Sequence, residues 1–279
     1  MQALPPFTTA ADVRGLLASS DDVRLVDCRS SLDGSVGRPT YLDGHLPGAV
    51  YADLDVDLAG PASGAGGRHP LPTPSDFAAS MGALGVSDDT IVVAYDTAGG
   101  AHAGRLVWML RILGCDATVL EGGLAAWDGP LESGPVDVEP LSFTPRPWAV
   151  EALASIDEVD DVLANGGLVI DARAAERYRG EVEPIDPRAG HVPGAVNVPY
   201  AGNLDADGRL LDADALRHRF VDAGVEDGTD AVVYCGSGVT ACHDALVMEQ
   251  VGLGLPRVFV GSWSAWSGDP ERPVATTAG

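Results

Sequence analysis

Cys235 is the residue whose type and surroundings most clearly predict chemistry. It follows a short apolar run, Ala231–Tyr234, and precedes the sequence Gly-Ser-Gly at 236–238. The run predicts a buried strand, and apolar residues at helical spacing after Thr240 predict a helix packed against it. A turn from a strand into a helix presents backbone N–H groups that bind anions and hold a thiolate, the nucleophilic form of cysteine. We therefore expect Cys235 to attack sulfur or phosphorus centres.

The residues around Cys235 give less support to three other interpretations. Buried, inert cysteines are common, but the two nearby glycines indicate a chain that curls tightly around the sulfur. A metal site made of Cys235, Cys242 and His243 lacks a second close pair of ligands, so we expect no metal. A cysteine phosphatase carries an arginine six residues after its cysteine, where this chain has Ala241.

The surroundings of Cys235 occur twice along the chain. Tyr95 and Tyr234 lie 139 residues apart within similar strand patterns. This period is far longer than the roughly 20 to 50 residues of solenoid repeats, and it indicates a duplicated domain. Asp96 then occupies the place of Cys235 in the first copy, and a carboxylate cannot carry a sulfane sulfur, so we predict that the first copy is catalytically silent. The copies also share 25–29 with 169–173, 44–49 with 190–195, and Trp127 with Trp266.

Each copy alternates short apolar strands with amphipathic helices, which is typical of an α/β fold. We predict a parallel sheet with helices on both faces in each copy, and a helix N-cap at Ser155 near the start of the second. In the first copy we predict helices at 9–18, 74–84 and 102–113, and strands at 23–27, 90–95 and 117–120.

Proline and glycine indicate how the chain is divided. Several prolines between 129 and 148, with little periodicity, predict an interdomain linker. This leaves an N-terminal domain at 1–128 and a C-terminal catalytic domain at 149–279. The segment between Gly60 and Pro74 predicts a long surface loop, of the kind that often serves a site or an interface.

Three motifs resemble those of a known family. They are Cys-Gly-Ser-Gly-Val-Thr-Ala-Cys-His at 235–243, Gly-His-Val-Pro-Gly-Ala at 190–195 and Gly-Ser-Trp-Ser-Ala-Trp at 261–266. Together they resemble the tandem-rhodanese sulfurtransferases. Gly236 and Ser237 resemble the 3-mercaptopyruvate branch, because the thiosulfate branch usually carries Arg and Lys after its cysteine. The resemblance implies two tandem rhodanese-like domains, of which only the second is active.

The resemblance also implies the reaction. A sulfane sulfur moves from 3-mercaptopyruvate to a thiophilic acceptor, such as a thiol, thioredoxin or cyanide, through a persulfide on Cys235, and no cofactor is needed. Two alternatives remain open: a thiosulfate:cyanide sulfurtransferase with the same nucleophile, and a non-catalytic sulfur carrier or binding module.

Further site residues follow from the same resemblance. The mercaptopyruvate branch is proposed to use a loop serine with an Asp and a His, which match Ser237, Asp55 and His69 here. The rest of the loop is expected to bind substrate through the following residues: Gly236, Gly238, Val239 and Thr240.

Arginine is expected to anchor the anionic donor, because its planar fork can bind both oxygens of a carboxylate. Arg177 matches the family's substrate arginine by its spacing from Asp171. The family's second arginine falls at Pro184 in this chain, so we expect Arg188 or Arg179 to replace it.

Two other motif pairs are expected to be structural. Asp27 with Arg29, and Asp171 with Arg173, predict buried ion pairs at strand ends. The histidines of the Gly-His-x-Pro-Gly turns, at 45 and 191, are expected to hydrogen-bond locally.

Charge and composition exclude several classes of partner. The 279 residues include 41 acidic and 17 basic ones, a net charge of −24 with no basic run. We therefore expect neither a nucleic acid nor an anionic membrane surface as partner. No run of 18 apolar residues occurs, and four cysteines without a CxxC pair do not suggest a disulfide framework, so we expect a cytoplasmic protein.

Overall fold

The computed structural model of the protein describes residues 4–31 and 34–277, which form two compact units. The first unit takes in the described residues up to 60, with 72–148 and 206–210. The second takes in 61–71, 149–205 and the described residues from 211 onward.

The first unit is built on a parallel sheet with the strand order β1-β5-β4-β2-β3. Its helices begin at polar caps, since the hydroxyls of Thr9 and Thr73 accept backbone N–H groups of the first turn. The elements are β1 Phe7–Thr8, α1 Ala10–Ser19, β2 Val23–Asp27, α2 Arg38–Asp43, β3 Val50–Tyr51, α3 Pro74–Ala83, β4 Ile91–Tyr95, α4 Ala101–Ile112 and β5 Ala117–Leu120.

The second unit repeats this plan with the parallel order β7-β6-β8-β9. Ser155 caps its first α-helix in a capping box with Glu158, as predicted. The elements are α5 Ile156–Ala164, β6 Leu168–Asp171, α6 Ala175–Arg179, β7 Val196–Asn197, α7 Ala213–Asp222, β8 Ala231–Tyr234, α8 Thr240–Gln250, β9 Arg257–Val258 and α9 Ser262–Gly268.

The predicted fold class is confirmed: both units are parallel sheets flanked by helices. The six elements predicted in the first copy are present, and no end differs by more than one residue. Sequence patterns missed β1, α2 and β3, which are too short to show a periodicity.

The predicted linker at 129–148 belongs to the first unit. Glu132 pairs with His45 through backbone hydrogen bonds in both directions. Phe143 is buried edge-on against Phe77, with ring centroids 5.9 Å apart. The segment is therefore an ordered strap on this unit, because its aromatic side chains find a core to pack on. The domain boundaries at 128 and 149 stay a prediction.

Residues 61–71 belong to the second unit, although the residues on both sides of them in sequence belong to the first. The N–H of Arg68 donates to Ser264 Oγ at 3.1 Å, which fixes the loop to α9. Sequence analysis predicted a functional loop here but not the unit on which it lies.

The core of the second unit holds β8 rigidly. Val232 and Tyr234 are fully buried, together with Trp263 and Trp266 of α9. The Tyr234 hydroxyl also accepts the N–H of Val192 at 3.1 Å. The carboxyl end of β8 is thus fixed by packing against α9 and by the hydrogen bond to Val192. Parallel sheets commonly place their binding sites at this end of a strand.

Candidate active site

Cys235 follows β8 directly and is 2% exposed. Its Sγ accepts the N–H of Gly238 at 3.1 Å. The carbonyl groups of Cys235 and Gly236 accept the N–H groups of Trp263 and Ser264, both at 2.9 Å. The sulfur is therefore held inside a loop that leads into α8 and is hydrogen-bonded to α9. The sequence predicted the loop between a strand and α8, but not its bonds to α9.

Gly238 is required by the shape of this loop. Its φ is +75°, a conformation that residues with a side chain rarely adopt. A Cβ at this position would also lie 2.4 Å from the carbonyl oxygen of Val260. The chain can therefore curl around Sγ only with glycine here. Val239 and Thr240 then lead into α8.

Ser237 and His69 are brought together beside Cys235. Ser237 Oγ lies 2.8 Å from His69 Nδ1, and both residues are buried. Asp55, the third predicted member, lies in the first unit, where its N–H donates to Asp53 Oδ1 at 2.9 Å. The role of Asp55 stays a prediction.

Two arginine side chains reach Gly236. A Cβ built on Gly236 would lie 3.2 Å from Arg68 Nη2 and 3.4 Å from Arg177 Nη1. Both guanidinium groups bind Asp186, and Arg177 Nη2 also donates to Glu183 at 2.7 Å. Cations and carboxylates thus form one partly buried cluster next to the nucleophile.

The pKa values of the two carboxylates in this cluster are shifted in opposite directions. Burial raises the pKa of Asp186, and Arg68 and Arg177 offset this only in part. Burial also acts on Glu183, but hydrogen bonds from Arg177 and from the N–H groups of Asp186 and Ile185 outweigh it and lower the pKa of Glu183. The hydrogen bonds to Glu183 therefore favour its charged form, whereas burial disfavours the charged form of Asp186.

Comparison with known proteins gives a consistent result. The rhodanese-like domain family matches residues 9–129 and again 155–269. The chain belongs to the rhodanese family. Its relatives include a Pseudomonas aeruginosa protein named as a 3-mercaptopyruvate sulfurtransferase, 45% identical over 269 residues, or 92% of this chain and 94% of that one. A Mycobacterium tuberculosis protein named as the thiosulfate sulfurtransferase SseB is 38% identical over 271 residues, or 95% of each chain.

A solved rhodanese structure agrees in fold. The 3-mercaptopyruvate sulfurtransferase from Leishmania major superposes with a TM-score of 0.81 at 35% identity, covering 95% of this chain and 74% of that one.

Arg188, predicted to bind substrate in this rhodanese, has a structural role instead. Its guanidinium donates four hydrogen bonds to backbone carbonyls, those of Trp266, Ser267, Asp269 and Arg272. Arg179 is likewise unsuited, because it pairs with Glu181 in a salt bridge whose two side chains are about half exposed. The second arginine that reaches Gly236 is Arg68, which sequence reasoning missed although it directly precedes His69.

The other rhodanese motifs behave as predicted. Arg173 chelates Asp171, and both side chains are buried; Arg29 does the same with Asp27. The Nδ1 atoms of His45 and His191 bond to nearby backbone carbonyls. Cys242 lies inside α8, and its thiol donates to the Gly238 carbonyl at 3.2 Å.

The first rhodanese unit fills its own anion site. The carboxylate of Asp96, the counterpart of Cys235, accepts four backbone N–H groups at 2.8 to 2.9 Å, those of Ala98, Gly100, His102 and Ala103. The sequence predicted N–H groups of this kind around Cys235. In the first unit they surround a side chain that cannot carry sulfur.

Among the described residues of this rhodanese, no group of three or more His, Cys, Asp or Glu side chains is placed to hold a metal ion. None of the helices between residues 4 and 277 that are described has the length and apolar character needed to cross a membrane.

Proposed function

We propose that this rhodanese takes the sulfur of 3-mercaptopyruvate onto Cys235 and passes it to a thiophilic acceptor. The observation that carries the proposal is the hydrogen bond between Ser237 and His69 beside the nucleophile. When mercaptopyruvate gives up its sulfur, pyruvate leaves as an enolate, which a hydroxyl can stabilise and a histidine can help to protonate. Sulfite, which leaves from thiosulfate, needs neither.

The first step loads the enzyme. The Cys235 thiolate attacks the donor sulfur, the carbon–sulfur bond breaks, and its electron pair leaves on the pyruvate enolate. The Ser237 hydroxyl faces the developing charge and relays a proton with His69, while Asp55 is proposed to orient that histidine. Arg68 and Arg177 bind the carboxylate of the donor.

The second step unloads it. A thiolate of the acceptor attacks the outer sulfur of the persulfide, and the bond to Cys235 breaks with its electron pair returning to Sγ. Small thiols, thioredoxin and cyanide all have the nucleophilic character that this step needs. We propose that this sulfur transfer takes place in a reducing cytoplasm, which the four free cysteines of the chain support.

The charge of the cluster favours a monoanionic donor. Arg173 joins the cluster through Glu183 and brings its own partner, Asp171. The three guanidinium groups are then matched by three carboxylates, those of Asp171, Glu183 and Asp186. A balanced cluster supports the single carboxylate of mercaptopyruvate better than the two charges of thiosulfate. The thiosulfate:cyanide reaction is the second candidate, since two guanidinium groups do reach Gly236.

The test combines kinetics with mass spectrometry. We expect a higher kcat/KM for mercaptopyruvate than for thiosulfate, and the gain of one sulfur atom at Cys235 after incubation with mercaptopyruvate. Cys235→Ser should lose both, because a serine hydroxyl forms no persulfide. Cys242→Ser is the matched control and should retain them. A preference for thiosulfate would reject the donor, and sulfur on Cys242 would reject the nucleophile.

A further inference from the structure

Ser262 has an unusual backbone at the first residue of α9. Its φ is +53°, and it is the one non-glycine residue with positive φ among residues 4–31 and 34–277. This left-handed conformation is strained for a residue with a Cβ, and such strain persists where the surrounding structure enforces it. Ser262 is also completely buried.

The first unit provides an internal reference for this position. Gly123, which lies 139 residues earlier, adopts nearly the same φ of +55°. In each unit the next residue donates its N–H to the end of the central strand: Leu124 to the Asp96 carbonyl at 3.0 Å, and Trp263 to the Cys235 carbonyl at 2.9 Å. The turn is thus built for glycine, yet the unit with the cysteine has serine.

Serine at this position provides a hydroxyl that glycine would lack. It accepts the N–H of Cys235 at 3.1 Å and donates to the carbonyl of Phe259 at 2.9 Å. It also lies 3.9 Å from Cys235 Sγ, in an orientation that allows a weak hydrogen bond to sulfur. Its single proton can therefore serve either the carbonyl or the sulfur.

We propose that Ser262 is a positioning residue for Cys235, which fixes the cysteine backbone and turns its hydroxyl toward Sγ whenever that sulfur carries negative charge. Hydrogen bonds to charged acceptors are shorter and stronger than those to neutral ones, so a charged Sγ competes better with the Phe259 carbonyl. Together with the Gly238 N–H, the hydroxyl gives Sγ a second buried donor.

This role applies to both half-reactions, and it rests on the sulfur transfer proposed above. During loading, the Cys235 thiolate is the nucleophile and its charge moves onto the enolate. During unloading, an acceptor thiolate takes the outer sulfur and the electron pair of the broken S–S bond returns to Sγ. The hydroxyl of Ser262 holds the thiolate before the first step and after the second, whereas Ser237 acts on the departing enolate alone.

The experiment measures each half-reaction in single turnovers of the full chain. Loading is followed by mass spectrometry with mercaptopyruvate, and unloading by the thiocyanate formed from cyanide. We expect Ser262→Gly to slow both rates about 10-fold, with KM for mercaptopyruvate unchanged, because one donor to the sulfur is lost. Its Tm should equal or exceed that of the wild type, since glycine relieves the strained φ.

Two further variants complete the design. Ser267→Ala removes another buried hydroxyl from α9 and should leave both rates unchanged. Ser237→Ala should slow loading but not unloading. If Ser262→Gly matches the wild type in both rates, or slows loading alone, the inference is overturned. If Ser262→Gly does not fold, Ser262→Ala decides by the same two rates. Failure of the wild type to load would instead reject the proposed function.

Discussion

At the scale of single residues, the proposed reaction assigns the holding of sulfur and the transfer of protons to different groups. Backbone N–H groups and the α9 segment surround Cys235, while Ser237 and His69 are paired with each other. In the proposed mechanism, His69 therefore acts through Ser237 on the donor and not on the cysteine.

The two arginines beside Gly236 are expected to bind the donor rather than to activate it. Arg68→Ala or Arg177→Ala should each raise KM for mercaptopyruvate about 10-fold with a smaller change in kcat, since each loses a charge-assisted hydrogen bond to the carboxylate. Steady-state kinetics measure this directly.

Arg179→Ala is the control for these variants, because it removes an arginine of the same segment that is exposed and paired with Glu181. Its KM should be unchanged. A KM that rises as much for Arg179→Ala as for Arg177→Ala would mean that only the general charge of the segment matters.

Local signals in the sequence could predict the strand, loop and helix around Cys235, and the family resemblance pointed to Arg177, which reaches Gly236. The sequence could not show which groups the side chains of Arg68 and Arg188 contact. Arg188 lies in the expected segment, but the end of α9 provides carbonyls that bind its guanidinium. Arg68 is far away in sequence and reaches Gly236 only through tertiary structure.

The helix bounds were predictable because their signals are also local: the caps at Thr9, Thr73 and Ser155 act within one turn.

At the scale of elements, the strand–turn–helix unit surrounds an acceptor atom with N–H groups in both copies: the Asp96 carboxylate in the first and Cys235 Sγ in the second. In the first copy, Asp96 also serves as the cap of α4, whose first residues have no other side-chain cap. The turn and the first residues of α4 present these N–H groups, and the negatively charged carboxylate satisfies them.

Asp96→Ala should therefore destabilise the protein by about 3 kcal/mol, because buried N–H groups lose a charged acceptor. Asp96→Asn keeps one carbonyl oxygen and should lose less. Urea unfolding monitored by tryptophan fluorescence checks both. Equal stability of Asp96→Ala and the wild type would show that the carboxylate is not needed to satisfy this turn.

Asp244 makes the stability of α8 depend on pH. It is fully buried, Asn203 donates to its Oδ1 at 2.7 Å, and Oδ2 has no hydrogen-bond partner among the described residues. Burial raises the pKa of Asp244 well above its usual value, offset in part by Asn203 and Arg219. An acid whose folded-state pKa is raised costs stability at pH values above its unfolded pKa.

Asp244→Asn should remove this cost. The Tm of the variant should exceed that of the wild type by several degrees at pH 8, and the two curves should converge toward about pH 4, the usual pKa of an aspartate. Calorimetry across this range tests the expectation. A variant that is less stable at pH 8 than at pH 4, relative to the wild type, would contradict it.

At the scale of the whole molecule, the net charge of −24 opposes the approach of an anionic donor. Salt should relieve this long-range repulsion, because the Debye length falls to about 10 Å at 0.1 M. We expect kcat/KM for mercaptopyruvate to rise about 2-fold between low and physiological ionic strength. A fall with added salt would show that the local arginines dominate the approach.

The segment at 61–71 has a consequence for how the protein is made. Arg68 and His69 leave the ribosome well before β6, β8 and the cysteine loop that they will join. The first unit can therefore fold during synthesis while this segment waits for its partners, since N-terminal domains generally fold first. A fragment that starts at 149 would lack the histidine and one arginine of its own active site. The second half of this tandem protein therefore depends on a segment made with the first half, although the repeated sequence suggests two independent modules.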